Sequence, residues 1–276
     1  MDTRITSDGI EIVDLELQLS GWPEALAGLT IVQLSDLHFR NRASGILVRN
    51  SVALANELHA DIVVLTGDYV TNSTRYVAAC AAELSALRAR HGVFAILGNH
   101  EVWTGVEYSA AQLVTAGITT LRDASTRLDL AGTGLWLLGI EDTGYTGYNV
   151  PGFNSSATFK QRWQHKVRIL HDLLEPLPES EPRILLVHNP DFVTMLPHER
   201  IDLVLSGHTH GGQVCLPWFG APIVPSCFGN RHARGLIHGR TGSVCYVNKG
   251  VGLSPVHLRW NCRSEVTRFR LLPAPS

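Results

Sequence analysis

The chain has too few cysteines, in the wrong pattern, to be built on sulfur. Its five (Cys80, Cys215, Cys227, Cys245, Cys262) are odd in number, widely spaced and form no Cys-x-x-Cys. That argues against a disulfide framework or a zinc ribbon, and for buried thiols in a reducing compartment. Charge is also sparse: 23 Lys and Arg against 25 Asp and Glu leave a formal net charge of −2. Nothing therefore points to a nucleic-acid backbone held by bulk electrostatics. No long hydrophobic run is present either. Met1 to Leu19 alternates charged and apolar residues, so the sequence predicts neither a signal peptide nor a transmembrane helix. The expectation is a cytoplasmic protein, with a peripheral contact on the inner face of a membrane allowed. Without internal repeats or low-complexity linkers, the 276 residues read as one domain, 1–276.

What is abundant is histidine, at thirteen residues. Histidine is the commonest metal ligand, so an excess has to be explained site by site. The most conspicuous stretch is Gly207-His208-Thr209-His210-Gly211-Gly212-Gln213, which follows the apolar run Ile201 to Leu205. Such a run predicts a buried strand, and the glycines predict a turn where backbone comes close to something. If the segment is extended, two histidines two residues apart point to the same side.

Other apolar runs end the same way. Leu29 to Leu34 exits into Ser35-Asp36-Leu37-His38, Asp61 to Leu65 into Thr66-Gly67-Asp68, Val93 to Leu97 into Gly98-Asn99-His100-Glu101, and Arg183 to Val187 into His188-Asn189-Pro190. Helical spacing falls between them at Ile46 to Leu58, Arg75 to Arg90, Val106 to Ala116 and Ala157 to Leu174. Short strands are predicted at Ile118 to Leu121, Thr126 to Leu130 and Leu135 to Ile140, then at Gln213 to Leu216, Arg234 to Ile237, Ser243 to Val247 and Glu265 to Leu271. Glu11 to Leu19 reads as a half-exposed edge strand. Glu141 to Ser156, with Tyr145, Tyr148 and Phe153, reads as a surface loop. Alternating strands and helices with polar residues at each strand exit predict an α/β fold with its chemistry on the carboxyl edge.

Collected, those exits supply Asp36, His38, Asp68, Asn99, His188, His208 and His210. All are oxygen or imidazole donors without a thiol, which suits a divalent ion of intermediate hardness, Mn, Fe or Zn, better than a structural zinc. Seven ligands are too many for one ion. Two cations about 3.5 to 4 Å apart, sharing one carboxylate, are the economical arrangement. Taken singly, Asp36 and Asp68 also read as helix N-caps, Asn99 as a turn residue and His188 as a strand-end hydrogen bonder.

In order, Asp36-Leu37-His38, Gly67-Asp68, Gly98-Asn99-His100-Glu101, His188 and Gly207-His208-Thr209-His210 resemble the signature blocks of the calcineurin-like metallophosphoesterases, from about Leu29 to Val247. The chain looks most like the small bacterial branch that includes phosphodiesterases and UDP-2,3-diacylglucosamine pyrophosphatases. The resemblance implies a four-layer α-β-β-α sandwich of two mixed β-sheets flanked by helices. It assigns Asp36, His38, Asp68 and His210 to one ion and Asp68, Asn99, His188 and His208 to the other, with Asp68 bridging and manganese the expected metal. His100 maps onto a histidine beside the metals that stabilises charge at phosphorus or protonates the leaving group; a purely structural contact to Asp36 or a backbone carbonyl is the other reading. Some members of the branch carry an N-terminal anchor or export signal, and this chain departs from them there.

The function that follows is cleavage of a phosphodiester or pyrophosphate bond by metal-activated hydroxide. The alternatives are a phosphomonoesterase or protein phosphatase, and a non-catalytic binding platform on the same scaffold. Glu101 reads as a helix-start residue or one that supports the ligands from behind, and not as a ligand itself. Arg231 and His232 are candidates for holding a phosphate or nucleotide, and a solvated basic turn is the other reading of that cluster. Trp218 and Phe219 lie in a proline-punctuated segment after His210 and are candidates for an apolar, lipid-linked part of the substrate; the competing expectation is packing on the core.

Overall fold

The computed structural model describes residues 2–275 apart from 131, 148–154, 240–242 and 255. One sheet contains β1 (Asp2–Ile5), β2 (Glu11–Leu19), β3 (Leu29–Leu34), β4 (Ile62–Leu65), β5 (Val93–Ala95) and β6 (Thr119–Thr120). The other contains β7 (Ala124–Leu130), β8 (Thr133–Ile140), β9 (Arg183–Val187), β10 (Leu203–Ser206), β11 (Gly235–His238) and β12 (Val244–Val247). The last strand, β13 (Glu265–Pro273), returns to the first sheet, giving the orders β1-β2-β13-β3-β4-β5-β6 and β11-β12-β10-β9-β8-β7. The helices are α1 (Arg42–Glu57), α2 (Val77–Leu84), α3 (Asn99–Thr104), α4 (Val106–Thr115) and α5 (Ser155–Leu174).

The central strands are apolar throughout because each faces two cores. In β4, Val63 and Leu65 point to the layer under α1 and α2, while Ile62 and Val64 point to the space between the sheets. In β9, Ile184 and Leu186 face the inter-sheet core, and Leu185 and Val187 face the layer that contains Phe159 and Trp163 of α5. Side chains alternate along a strand, so two buried faces demand apolar residues at every position. The result is helices, sheet, sheet, helices. This is the four-layer sandwich expected from the resemblance.

Strands β3-β4-β5 run parallel, as do β8-β9-β10-β12. Parallel strands present their carboxyl ends at one rim, so Asp36, Asp68, Asn99, His188 and His208 leave the two sheets at the same edge. Buried Gln33 ties the sheets beneath that rim, donating to Thr66 Oγ1 and the Ser206 carbonyl at 2.9 Å each.

Three expectations about elements are corrected. Glu11–Leu19 is not an edge strand: β1 covers its outer side and β13 pairs with it in parallel. Gln213 to Leu216 forms no strand, because Leu216 bonds back to Gly220 four residues later in a turn punctuated by Pro217. The helix expected over Arg75 to Arg90 is confined to Val77–Leu84. Tyr148 and Phe153 lie outside the described residues.

Candidate metal centre

The donors converge in two fully buried groups, and a third, His38, Asp68 and His100, links them at the edge. Asp36, His38 and His210 form one triad of buried ligand atoms lying within 4.8 Å of one another, and Asp68, His188 and His208 form the other. Asp68 Oδ2 stands between them. It lies 3.1 Å from His188 Nε2, 3.7 Å from His38 Nε2 and 3.9 Å from His100 Nε2. In the first triad, His38 Nε2 and His210 Nε2 are 3.0 Å apart, and His210 Nε2 is 3.4 Å from Asp36 Oδ1.

The backbone that aims these side chains is unusual. Asp36, His38, Asp68, His208 and His210 all have positive φ, between 46° and 73°. Left-handed backbone is uncommon outside glycine and persists where the surroundings over-determine it. Here neighbouring exits lock one another: Asp36 N–H donates to the Gly67 carbonyl, His38 N–H to the Asp68 carbonyl and Gly207 N–H to the His188 carbonyl. The His208 N–H clamps both Asp36 carboxylate oxygens at 3.0 Å. Gly207 and Gly98 are required by close approach, since a Cβ on Gly207 would meet Ser35 Oγ at 1.9 Å and one on Gly98 would meet Asp68 Oδ1 at 2.2 Å.

This geometry corrects the reading of His-x-His as an extended pair. His208 and His210 are left-handed with Thr209 in the right-handed helical region between them. Their rings separate, one joining each triad. The strand ends at Ser206, and the turn, not the strand pleat, splits the two imidazoles between the two groups.

Burial and charge set the protonation states. Burial drives His38 and His210 well below the usual imidazole range and His208 down to about 3, so all three present neutral rings. For His188, burial also lowers the pKa, but the Asp68 carboxylate outweighs it and the ring rises to about 10. Asp68 is raised by burial and pulled further the other way by His188 and His100, ending well below the ordinary carboxylate range. Asp36 is lifted to about 6, chiefly by burial. Without a metal, the pair is imidazolium and carboxylate.

Several donor atoms have nowhere else to go. Asn99 Oδ1 and both ring nitrogens of His208 are buried without a hydrogen-bond partner, and His188 Nε2 faces Asp68 without hydrogen-bond alignment. Buried polar atoms normally have partners. Oxygen and imidazole donors without thiolate, left open toward one another, fit divalent cations. A cation held by His188 would have to replace the proton that the ring keeps in the metal-free protein. Loading the apoprotein near neutral pH is expected to release about one proton, so apparent affinity rises as pH rises, by up to about tenfold per unit. Calorimetric titration in two buffers of different ionisation enthalpy measures this, and heats independent of buffer would show that no proton leaves.

His100 stands at the edge of the centre. Its ring Nδ1 bonds to the Thr71 carbonyl and its backbone N–H donates to Asp68 Oδ1 at 3.0 Å, which leaves Nε2 facing the donors. Of the four other candidates, Arg231, Trp218 and Phe219 are exposed, while His232 is buried with Nδ1 2.9 Å from Asp191 Oδ1 and its ring stacked on Phe228.

Glu101, expected at a helix start or supporting the ligands from behind, does both: it sits in the first turn of α3 and its carboxylate accepts four backbone N–H groups from the Asp68 and Gly98 loops. Two further supporting residues carry no mark in the sequence. Arg259 caps the carbonyls of Lys249, Gly250 and Gly252 and that of His210. Asp142, one residue beyond the Glu141 that follows β8, is buried with Oδ2 unpartnered and is pushed up to about 7 chiefly by burial. Arg259 reaches the His210 carbonyl across a separation of 49 residues, and no pattern adjacent to Arg259 or Asp142 marks either.

A profile of the calcineurin-like phosphoesterases matches residues 29–212. An uncharacterized metallophosphoesterase, YkuE, of Bacillus subtilis is 30% identical over 267 residues, covering 95% of this chain and 85% of its own. Phosphodiesterase YaeI of Escherichia coli is 30% identical over 272 residues, covering 92% and 86%. Among solved structures, TT1561 of Thermus thermophilus superposes with a TM-score of 0.50 at 14% identity, covering 81% of this chain and 90% of that one, a likeness of fold.

Proposed function

The chain belongs to the calcineurin-like phosphoesterase family, a metal-dependent phosphoesterase, and from that premise we propose that it hydrolyses a phosphodiester or pyrophosphate bond at a dinuclear centre. The observation that carries the reading is the position of Asp68 Oδ2, within 3.9 Å of imidazole nitrogens from both donor groups. Asp36, His38, Asp68 and His210 would hold one ion, and Asp68, Asn99, His188 and His208 the other. Manganese suits this mixed carboxylate, amide and imidazole set, with iron and zinc as competitors. When bound, the two cations supply roughly two net positive charges against Asp36 and Asp68, which attracts phosphate oxygens and lowers the pKa of water toward neutrality.

The chain's own residues do the positioning. The backbone clamp from His208 holds Asp36, the four N–H groups on Glu101 hold the Asp68 and Asn99 loops, and Thr71 fixes the ring of His100 with Nε2 toward the donors. From there His100 donates a hydrogen bond to a nonbridging phosphoryl oxygen or delivers a proton to the leaving oxygen. A diester or pyrophosphate is preferred to a monoester because the Escherichia coli relative is named a phosphodiesterase.

Rates on bis-p-nitrophenyl phosphate, p-nitrophenyl phosphate, cyclic nucleotides and lipid-linked nucleotide sugars, each with Mn, Zn, Fe or Mg, test this directly. Diester or pyrophosphate turnover with two ions per chain is expected; a single ion in the active protein would refute the dinuclear centre. His100→Ala is expected to slow alkyl esters about tenfold or more beyond its effect on nitrophenyl esters, because nitrophenolate leaves without a proton. Equal losses would assign His100 to charge stabilisation alone.

A further inference from the structure

The segment after the metal-site turn places large apolar side chains in water. Trp218 is 100% exposed and Phe219 82%, at the tip of a turn closed by paired bonds between the backbones of Leu216 and Gly220. Trp218 has φ +71°, so the turn holds the indole outward in a conformation that a bulky residue adopts only under constraint. Ile223 is 69% exposed close behind.

A second exposed segment lies alongside. Cys215 N–H donates to the Trp260 carbonyl and Trp260 N–H to the Gln213 carbonyl, bringing Leu258 (56% exposed) and half-exposed Trp260 beside the first turn. Gln213 stitches both to the metal rim: it lies three residues after His210, and its amide bonds to Ser254 N–H and the Val256 carbonyl.

Charge is distributed in the same way. From Leu203 to Ser264 the chain contains no Asp or Glu, but carries Arg231, Arg234, Arg240, Lys249, Arg259 and Arg263. The remaining 17 Lys and Arg share the rest of the chain with all 25 acidic residues. A cavity of about 900 Å³ opens beside Trp260, lined by Arg234, Arg259, Arg263 and Lys249. Its two carboxylates, Glu11 and Glu265, are both taken by Lys249, at 2.5 and 3.0 Å.

We propose that this face docks on an anionic lipid bilayer. Trp218, Phe219, Ile223 and Leu258 enter the interfacial layer, and the exposed Arg234 and Arg263 beside the cavity meet headgroup phosphates. Exposed aromatics flanked by cations are the composition of an interfacial anchor, and each signal reinforces one too weak alone. Self-association through the face is disfavoured, because a twofold contact would set the same cations against themselves. Docking brings the rim bearing His208 and His210 to the headgroup level. It does not depend on the hydrolase reading, since vesicle binding is measured without turnover.

The test is co-sedimentation with extruded vesicles of phosphatidylcholine alone or with about 30% phosphatidylglycerol. The expected result is binding to the anionic vesicles at least about tenfold tighter than to the neutral ones, weakened about tenfold by raising salt from ~0.1 to ~0.5 M. The double variant Trp218→Ser/Phe219→Ser should lose at least about tenfold of that binding at an unchanged melting temperature, because both side chains are already in water. Arg234→Glu/Arg263→Glu should remove the preference for phosphatidylglycerol. The proposal is overturned by equal or absent binding to both vesicles, by full binding of the aromatic double variant, or by a dimer in sedimentation velocity that this variant dissolves.

Discussion

Replacing Asp68 by alanine is expected to lower turnover by at least about a thousandfold and to reduce bound metal from two ions to fewer than one per chain. One carboxylate oxygen of this residue reaches His188, His38 and His100, nitrogens that belong to different donor groups. Without it, two divalent cations would repel across a few ångströms with no negative charge between them, an unfavourable Coulomb energy of several kcal/mol even at an effective dielectric of about 20. Asp68→Asn keeps the shape and one carbonyl oxygen but not the charge, so it should recover little of the activity. The apoprotein provides an internal control. With Asp68 gone, His188 loses the main group that raises its pKa, and the proton released on metal loading should disappear with it. Two ions retained at wild-type activity in Asp68→Ala would refute the bridge.

The largest effect on stability is expected at Glu101. Its carboxylate is fully buried and accepts from Asp68 N–H at 2.9 Å and Gly98 N–H at 3.0 Å on one oxygen, and from Tyr69 at 2.8 Å and Val70 at 3.2 Å on the other. Glu101→Ala strands four buried donors. At about 1 kcal/mol or more each, the loss is about 4 kcal/mol or greater, a large share of the roughly 5–15 kcal/mol that holds a domain together. Glu101→Gln is no rescue, because its amide group turns a donor toward donors. Urea unfolding of the metal-free variants measures the loss. Manganese titration of whatever remains folded should show weaker binding, since the same four bonds aim Asp68 and Asn99. A loss below about 1 kcal/mol would show that water or a shifted loop replaces the carboxylate.

The parts of this protein that were readable in advance are those with local causes. β4 is apolar at all four positions because both of its faces are buried, and such a run announces a central strand. The donors stand directly after such runs, so the rim and its chemistry could be assembled from Asp36, His38, Asp68, Asn99, His188, His208 and His210 without coordinates. Readability failed where the cause lay elsewhere in the chain. Glu11–Leu19 looked like an edge because its alternation is weakly amphipathic; β13, some 250 residues later, covers it. The spacing of His208 and His210 by itself describes a strand pair pointing one way, and although the resemblance divided them between two ions, only the positive φ at both positions explains how they turn apart. His232 carried no sign that Asp191 would hold it, nor Arg259 that it would cap the loop behind His210.

By itself, then, the sequence determined which side chains meet at the carboxyl rim and that they are oxygen and imidazole donors, because apolar periodicity and strand-end position are properties of adjacent residues. The tertiary structure alone decided what clamps those donors around Asp68, and that Trp218 and Phe219 stand in water instead of packing on the core. Those outcomes depend on left-handed turns and on hydrogen bonds between segments far apart in the chain, whose geometry no local pattern encodes.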